Sequence, residues 1–341
     1  MGTVILFFIL LLLFIASFVS FHGRKIILKE IGFLTAGYLL GYIVKKFINV
    51  GQINSLWLFL SVGSGYFLML FGLQFSRSTI KKISRVSFLI AFIESGIIFL
   101  MALGVGLFFI KDLNLDLHLA LLASLSASPL LIYSQKKLDS NKLYALYLDP
   151  LLAIFILLVL TLANGKRSIL PMLFPLYLIF VLIIVKGLER REQEMNLFLF
   201  GSTTLLAGLS LSHKIEPVIP PFITGLLISN LGNKYRRGFL NFLQNMEKSI
   251  YLAFLVLIGF FLKPVFNVRT LMGILVISAI RGFIKYFLFR SIYAMIPGPM
   301  VLAIGSGFYI LTGRGDFLFY FTFYYVINHI FLLKGSVNEG Y

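Results

Sequence analysis

Apolar residues run along this chain in long blocks separated by short polar clusters. Thirteen such blocks are read, at 3–21, 26–48, 53–75, 84–110, 116–134, 143–163, 168–187, 195–212, 217–232, 247–263, 268–290, 294–313 and 316–334. A helix that crosses the hydrocarbon core of a bilayer needs about 20 residues, so the blocks predict membrane spans joined by short connections. In lipid each span must satisfy its own backbone hydrogen bonds, which selects helices. The expected fold is an all-α polytopic membrane protein with about 13 transmembrane helices in a single domain, residues 1–341, with no soluble domain.

Two blocks are interrupted. In the fifth, Ser124, Ser126, Ala127, Ser128 and Pro129 fall mid-span, where proline removes a backbone donor and small hydroxyl residues can serve the freed carbonyls. In the twelfth, Gly305, Ser306 and Gly307 follow Pro297 and Pro299 and weaken helix continuity. If the first repeat occupies about 1–163, a linking helix about 168–187 and the second repeat about 195–334, the two interruptions occupy equivalent places. An offset of seven spans gives the halves opposite orientations, the arrangement of inverted repeats with paired broken helices crossing near the midplane.

Composition agrees: 59% of the 341 residues are hydrophobic and 13% charged, about half the charged share of a soluble domain. The net charge of +17 would suit nucleic acid only if the basic residues gathered on one soluble face, and they do not. Counted connection by connection, 19 Lys and Arg fall in alternate connections beginning with Arg24, Lys25 and Lys29, and 9 in the others. The positive-inside rule then orients the chain with its N-terminus outside and its C-terminus in the cytoplasm. The first block lacks a basic leading region and a small-residue cleavage site, so it is read as a span, not a signal peptide. With no cysteine, disulfides, thiolate metal sites and thiol catalysis are excluded.

Four ionisable residues lie well inside the blocks: Glu94, Asp149, Arg281 and Lys285. A charge at a span centre costs about 2.5–3.5 kcal/mol on insertion scales, so such residues face a cavity, pair with one another or carry function. Asp149, followed by Pro150, can hold a proton or a hard monovalent cation through its carboxyl oxygens. Arg281 and Lys285 stand one turn apart on one helix face, where like charges need something anionic opposite. Arg281 is the expected buried partner of Asp149, with Lys285 reaching towards the inner surface near Arg290. Glu94, flanked by Ser95 and Gly96, either meets a basic residue, binds a proton or makes a neutral helix contact. His22, His118, His213 and His329 lie near span ends without i, i+4 partners; they are expected to be solvated, and no resident metal is expected.

The order of these features resembles the monovalent cation:proton antiporters, the sodium/hydrogen exchanger and potassium-efflux type membrane domain. Lys29-Glu30-Ile31-Gly32 through Gly37-Tyr38-Leu39-Leu40-Gly41 resembles the family's glycine-spaced second-helix segment, "GYLLAGILLG". Phe71-Gly72-Leu73-Gln74-Phe75 resembles its "GLEF", with Gln74 replacing the acid, and Ser126-Ala127-Ser128-Pro129 its "SATSP" or "SATDP" crossing-helix break. Leu148-Asp149-Pro150 falls where the family carries an Asn-Asp or Asp-Asp pair. Pro221-Phe222-Ile223-Thr224-Gly225-Leu226 is similar to "GAFVAGL", Ile258-Gly259-Phe260 to "FFVLIGL", and Gly313-Arg314-Gly315-Asp316 to the "RGE" turn. Arg281 or Lys285 matches the basic residue facing the ion site.

The resemblance implies a homodimeric secondary transporter in the cell membrane that exchanges protons for Na+ or K+ by alternating access, with no cofactor and no enzymatic activity. Asp149 would be the shared proton and cation site, with Ser126, Ser128 and backbone carbonyls as further oxygens. Arg281, Lys285 and Glu94 would compensate charge, and Pro129, Gly305, Ser306 and Gly307 would break the crossing helices. Leu148 leaves one acid at the pair position, which implies an electroneutral exchange. The chain ends seven residues after Lys334, so regulation by a cytosolic ligand would need a separate subunit. A non-transporting membrane sensor or assembly subunit on the same scaffold is the alternative, motivated by Leu148 and the lost polar ligands.

Overall fold

The computed structural model of this chain describes residues 26–45, 56–125, 140–163, 201, 208, 219–231, 233–289 and 297–335. The expected blocks at 3–21 and 168–187, and Ser126, Ser128 and Pro129, lie outside the described residues, as does all but two positions of the block at 195–212. The elements in chain order are α1 (Ile26–Val44), α2 (Trp57–Gln74), the short α3 (Arg77–Ile80), α4 (Arg85–Phe109), α5 (Leu113–Ser124), α6 (Ser140–Ala163), α7 (Ile219–Leu231), α8 (Asn233–Phe261), α9 (Val268–Phe289), α10 (Pro299–Thr312) and α11 (Gly315–Gly335). No strand occurs among the described residues.

Three of these helices, α2, α4 and α9, are long and apolar enough to cross a membrane. At 1.5 Å per residue the 25 residues of α4 span about 37 Å, more than the roughly 30 Å hydrocarbon core. The outer face of α4 carries Phe88, Leu89, Phe92, Ile93, Leu100 and Phe108 in the open, an apolar surface that suits acyl chains and not water. Serine hydroxyls order its start: Ser84 Oγ accepts from the Ser87 amide at 3.0 Å, closing the first turn.

Two helix pairs carry the closest packing. In α1 against α8, a side chain at Gly37 would overlap the Val256 carbonyl, one at Gly41 the Phe260 carbonyl, and one at Gly259 the Leu34 carbonyl. Gly37 meets Val256 and, one turn on, Gly41 meets Phe260, so the pair is parallel. In α2 against α7, Gly72 meets the Phe222 carbonyl and Gly225 the Met69 carbonyl, and farther along Ser229 Oγ donates to the Phe75 carbonyl at 2.8 Å. This pair is parallel as well. Small residues at membrane helix interfaces let backbones approach and gain dispersion contacts that lipid does not compete away. The remaining described helices pack around these pairs: α4 touches α5, α6 and α9, while α10 lies against α2 and α11.

Two expectations change. Residues 233–246, read as a connection, are the first half of α8. Phe239, Leu240, Leu243 and Met246 recur at helical spacing there, with Arg236, Arg237, Asn241, Gln244 and Asn245 between them, an amphipathic pattern too polar for a hydropathy block yet fully helical. The break expected at Gly305, Ser306 and Gly307 is also absent, since α10 runs unbroken from Pro299 to Thr312. Gly305 gives way to the Phe321 ring of α11, whose Cδ2 a Cβ would approach to 2.9 Å. Ser306 Oγ donates back to the Ala303 carbonyl (2.9 Å) or shares a proton with Ser64 Oγ of α2 (2.6 Å). These small residues serve helix contact, and the helix instead stops at Gly313, whose φ of +66° is the left-handed cap geometry that glycine adopts without strain.

Candidate functional site

The helix α5 supplies the first part of the site because it is short. Its 12 residues reach only about 18 Å, and Leu125 leaves the helix in an extended conformation (φ −70°, ψ 139°) beside the interruption read in the sequence. A helix ending inside an apolar core leaves carbonyls without amide partners and the negative end of its dipole uncompensated. Arg281 of α9 answers both needs. Its Nε donates to the Ala123 carbonyl at 3.0 Å and its Nη2 to the Leu125 carbonyl at 2.9 Å. The guanidinium is fully buried and is further steered by Asn328 of α11, whose Oδ1 lies 3.5 Å from Nη1. Asn328 is itself fixed, donating to Ser278 Oγ at 3.1 Å and to the Tyr324 carbonyl at 2.7 Å.

One turn along α9, Lys285 completes the site. Its Nζ donates to Glu94 Oε1 of α4 and, at 3.2 Å, to Asp149 Oδ2 of α6, and all three side chains have no exposed surface. The expectation that Lys285 reaches the inner surface is therefore corrected: α4 and α6 bring two carboxylates to it, which offset part of the cost of keeping the ammonium out of water. Glu94 takes the first of its open readings, the meeting with a basic residue. Asp149 precedes Pro150 inside α6, and since proline has no N–H, the Leu146 carbonyl one turn back is relieved of its helical partner. Asp149 and that carbonyl put two kinds of hard oxygen on one stretch of α6, the donors that alkali cations use.

Of the residues singled out from sequence, the structure brings Glu94, Asp149 and Lys285 to one point and Arg281 to the adjacent turn. With all four ionised, the two cations and two carboxylates balance, and the α5 dipole adds partial negative charge at Arg281. Gly305 and Ser306 instead meet Phe321 of α11 and Ser64 of α2.

Several polar residues escaped the sequence reading. Asn328 sits beside His329 on α11, and His329 is 5% exposed, so the expected solvated histidine is corrected to a buried one. Its burial follows from facing Glu30 and Tyr325 rather than water. Asp116 of α5 is fully buried against Gly106 of α4, and neither carboxyl oxygen has a hydrogen-bond partner among the described residues. The signal for these was weak: each lies within a few residues of an expected span end, where polar residues are common.

Outside the spans, Arg314 repeats the same chemistry. Its Nη1 donates to Asp112 Oδ2 and its Nη2 to Asp316 Oδ2, both at 2.6 Å. Asp112 also caps α5, accepting from the Asn114 amide at 3.1 Å and the Leu115 amide at 3.3 Å. Slight burial works to raise the Asp112 carboxyl, but the Arg314 hydrogen bond and charge together with the two amides outweigh it and hold the group below its usual range. Hydrogen bonds to Asp316 and Asp112 raise Arg314 above its already high value.

In comparisons with known proteins, no family model matches the chain and no curated protein matches it.

Proposed function

We propose that this chain is a secondary transporter that exchanges protons for a monovalent cation, Na+ or K+, with Asp149 as the shared site. The observation that carries the reading is the position of the Lys285 ammonium, buried between two carboxylates from two different helices, beside a helix end capped by a second buried cation. Such a constellation is expensive to keep inside an apolar bundle, and intramembrane charges that persist mark ion or proton pathways. In the proposed cycle a proton and an entering cation compete for Asp149, while the Lys285 ammonium stays paired with Glu94. When the cation takes the Asp149 carboxylate, the proton carried there leaves, so one positive charge replaces another in the dry interior and the exchange is electroneutral.

The helix pairing supports the inverted-repeat arrangement. Exchanging α1 with α7 and α2 with α8 maps the parallel glycine-packed pair α1·α8 onto α2·α7. The same operation relates α4 to α9 and α6 to α11, and so relates the Glu94 and Asp149 contact between α4 and α6 to the Arg281 and Asn328 contact between α9 and α11. Alternating access would then move the α4, α5, α6 and α9 group against the glycine-packed pairs. A homodimer in the cell membrane, N-terminus outside, belongs to the same proposal.

A second reading is favoured by the same ammonium. If Lys285 holds both carboxylates permanently, it stands in for the transported cation, and the chain serves as a non-transporting sensor or assembly subunit. Reconstituted liposomes with a trapped pH dye separate the two: steps of Na+, K+ or Li+ should drive proton movement with the wild-type protein and none with Asp149→Asn. A folded wild type silent to all three cations over a broad pH range would leave only the second reading.

A further inference from the structure

A second buried polar cluster lies between α1, α8 and α11, apart from the Lys285 site. Glu30 of α1 is 8% exposed and His329 of α11 5%. Glu30 Oε2 accepts from the Tyr325 hydroxyl at 3.1 Å and stands 3.4 Å from His329 Nε2. The Tyr251 hydroxyl of α8 contacts that of Tyr325 and also hydrogen-bonds Glu30, so two phenols gather at the carboxyl group.

The protonation of the pair follows from the other ring nitrogen. His329 Nδ1 is 2.9 Å from the Tyr325 carbonyl, which can only accept, so Nδ1 carries a hydrogen. Nε2 of the neutral ring is then a lone pair aimed at a carboxyl oxygen. The contact is attractive only if one proton lies between them, either on Glu30 and donated to Nε2, or on Nε2 and donated to Glu30. With no proton, two lone pairs and a buried negative charge face each other. With two, a cation is buried with no acceptor for one of its protons.

We propose that Glu30 and His329 form a second proton-binding site, which holds one proton between α1 and α11 and fastens α11 to the α1·α8 pair while that proton is bound. The consequence reaches the first site through α11 itself. Tyr325 and His329 face Glu30, whereas the neighbouring Asn328 holds Arg281, which caps α5. Losing the proton would loosen α11 from α1 and free the element that steers Arg281. Among described side chains, the titratable groups acting on the pair are Tyr251 of α8 and Tyr325 of α11, and the charge of Arg281 of α9 reaches His329. The link to transport rests on the function proposed above; the proton site itself does not.

The test is a pH titration of the full chain in lipid nanodiscs, with nitrogen-labelled histidine followed by nuclear magnetic resonance. His329→Gln identifies the signal among the four histidines. The wild-type His329 signal should show the Nδ1–H form and shift with pH as the shared proton is lost. In Glu30→Gln, the amide can donate permanently to Nε2 and accept from Tyr325, so the signal should keep the Nδ1–H form and lose that shift. Tyr325→Phe removes a donor to the carboxylate and should move the midpoint upwards, by about one pH unit. An Nε2–H tautomer, or the same titration in Glu30→Gln as in the wild type, would overturn the proposal. Should Glu30→Gln fail to fold, the Tyr325→Phe midpoint decides, an unmoved midpoint counting against it. The titration should persist in Asp149→Asn, which separates failure of this site from failure of the transport reading.

Discussion

Lys285 and Arg314 each hold two carboxylates, and their surroundings make them opposites. Lys285 and both its acids have no exposed side-chain surface, whereas Arg314 is 42% exposed and its partners Asp112 and Asp316 are 33% and 24% exposed. In water, screening and lost side-chain freedom reduce an ion pair to about 0–1 kcal/mol. In the dry interior each charge is so costly alone that removing one partner strands the others. The comparison teaches that geometry alone does not mark a functional site. The Arg314 cluster has the better donor fork, with both contacts at 2.6 Å, yet it pins the start of α11 to the start of α5 in the open, while the Lys285 cluster is buried where the loss of one charge leaves the others uncompensated.

The largest effect should come from emptying the buried position. Lys285→Met leaves Glu94 and Asp149 facing each other and should abolish cation-driven proton movement and lower stability by about 3–5 kcal/mol, read as thermal unfolding in detergent micelles. Adding Glu94→Gln should recover a good part of that stability without restoring transport. Equal stability for Lys285→Met and wild type would mean that the buried cluster behaves like the exposed one.

Arg281→Lys keeps the charge and loses the fork that holds two carbonyls of the α5 end. The loss should be about 1.5–3 kcal/mol, the worth of a hydrogen bond to a charged group, with transport weakened. Gly37→Ala forces α1 from α8 and should cost about 1–3 kcal/mol as overpacking, while leaving any proton release by the α9 cluster in place. A Gly37→Ala protein as stable as the wild type would break the account of the α1·α8 contact.

At the small end, Arg314→Gln should change stability by under about 1 kcal/mol at neutral pH. Its pH dependence has a fixed sign. The folded Asp112 carboxyl lies below its unfolded value of about 3.9, so its contribution is whole above that value and is lost as pH falls through the folded one. The difference between wild type and Arg314→Gln should therefore be flat from neutral to about pH 5, shrink below about pH 4 and shrink at high salt. A difference that grows in acid would reverse the assignment.

The sequence made the members of the buried cluster legible and not its pairing. An ionisable residue in an apolar block stands out locally, and so Glu94, Asp149, Arg281 and Lys285 could all be named. Which basic residue meets Asp149 depends on the rotation and depth of α9 against α4 and α6, which helix packing sets and no local pattern records. Arg281 was drawn away by a partner invisible as chemistry in the sequence, the carbonyl end of α5. Gly305 and Ser306 misled for a related reason, since small residues that permit a break also permit close contact, and Phe321 across the interface decides which. Glu30 and His329 are 299 positions apart, and each alone resembles a residue at a span end.

The central claim, that proton and cation compete for Asp149, is tested most directly by proton release from purified protein in weakly buffered detergent solution on addition of Na+ or K+. The account predicts release of about one proton per chain at saturating cation, by the competition itself, and none from Asp149→Asn. Absence of release from the folded wild type with any alkali cation, or the same release from Asp149→Asn, would contradict it.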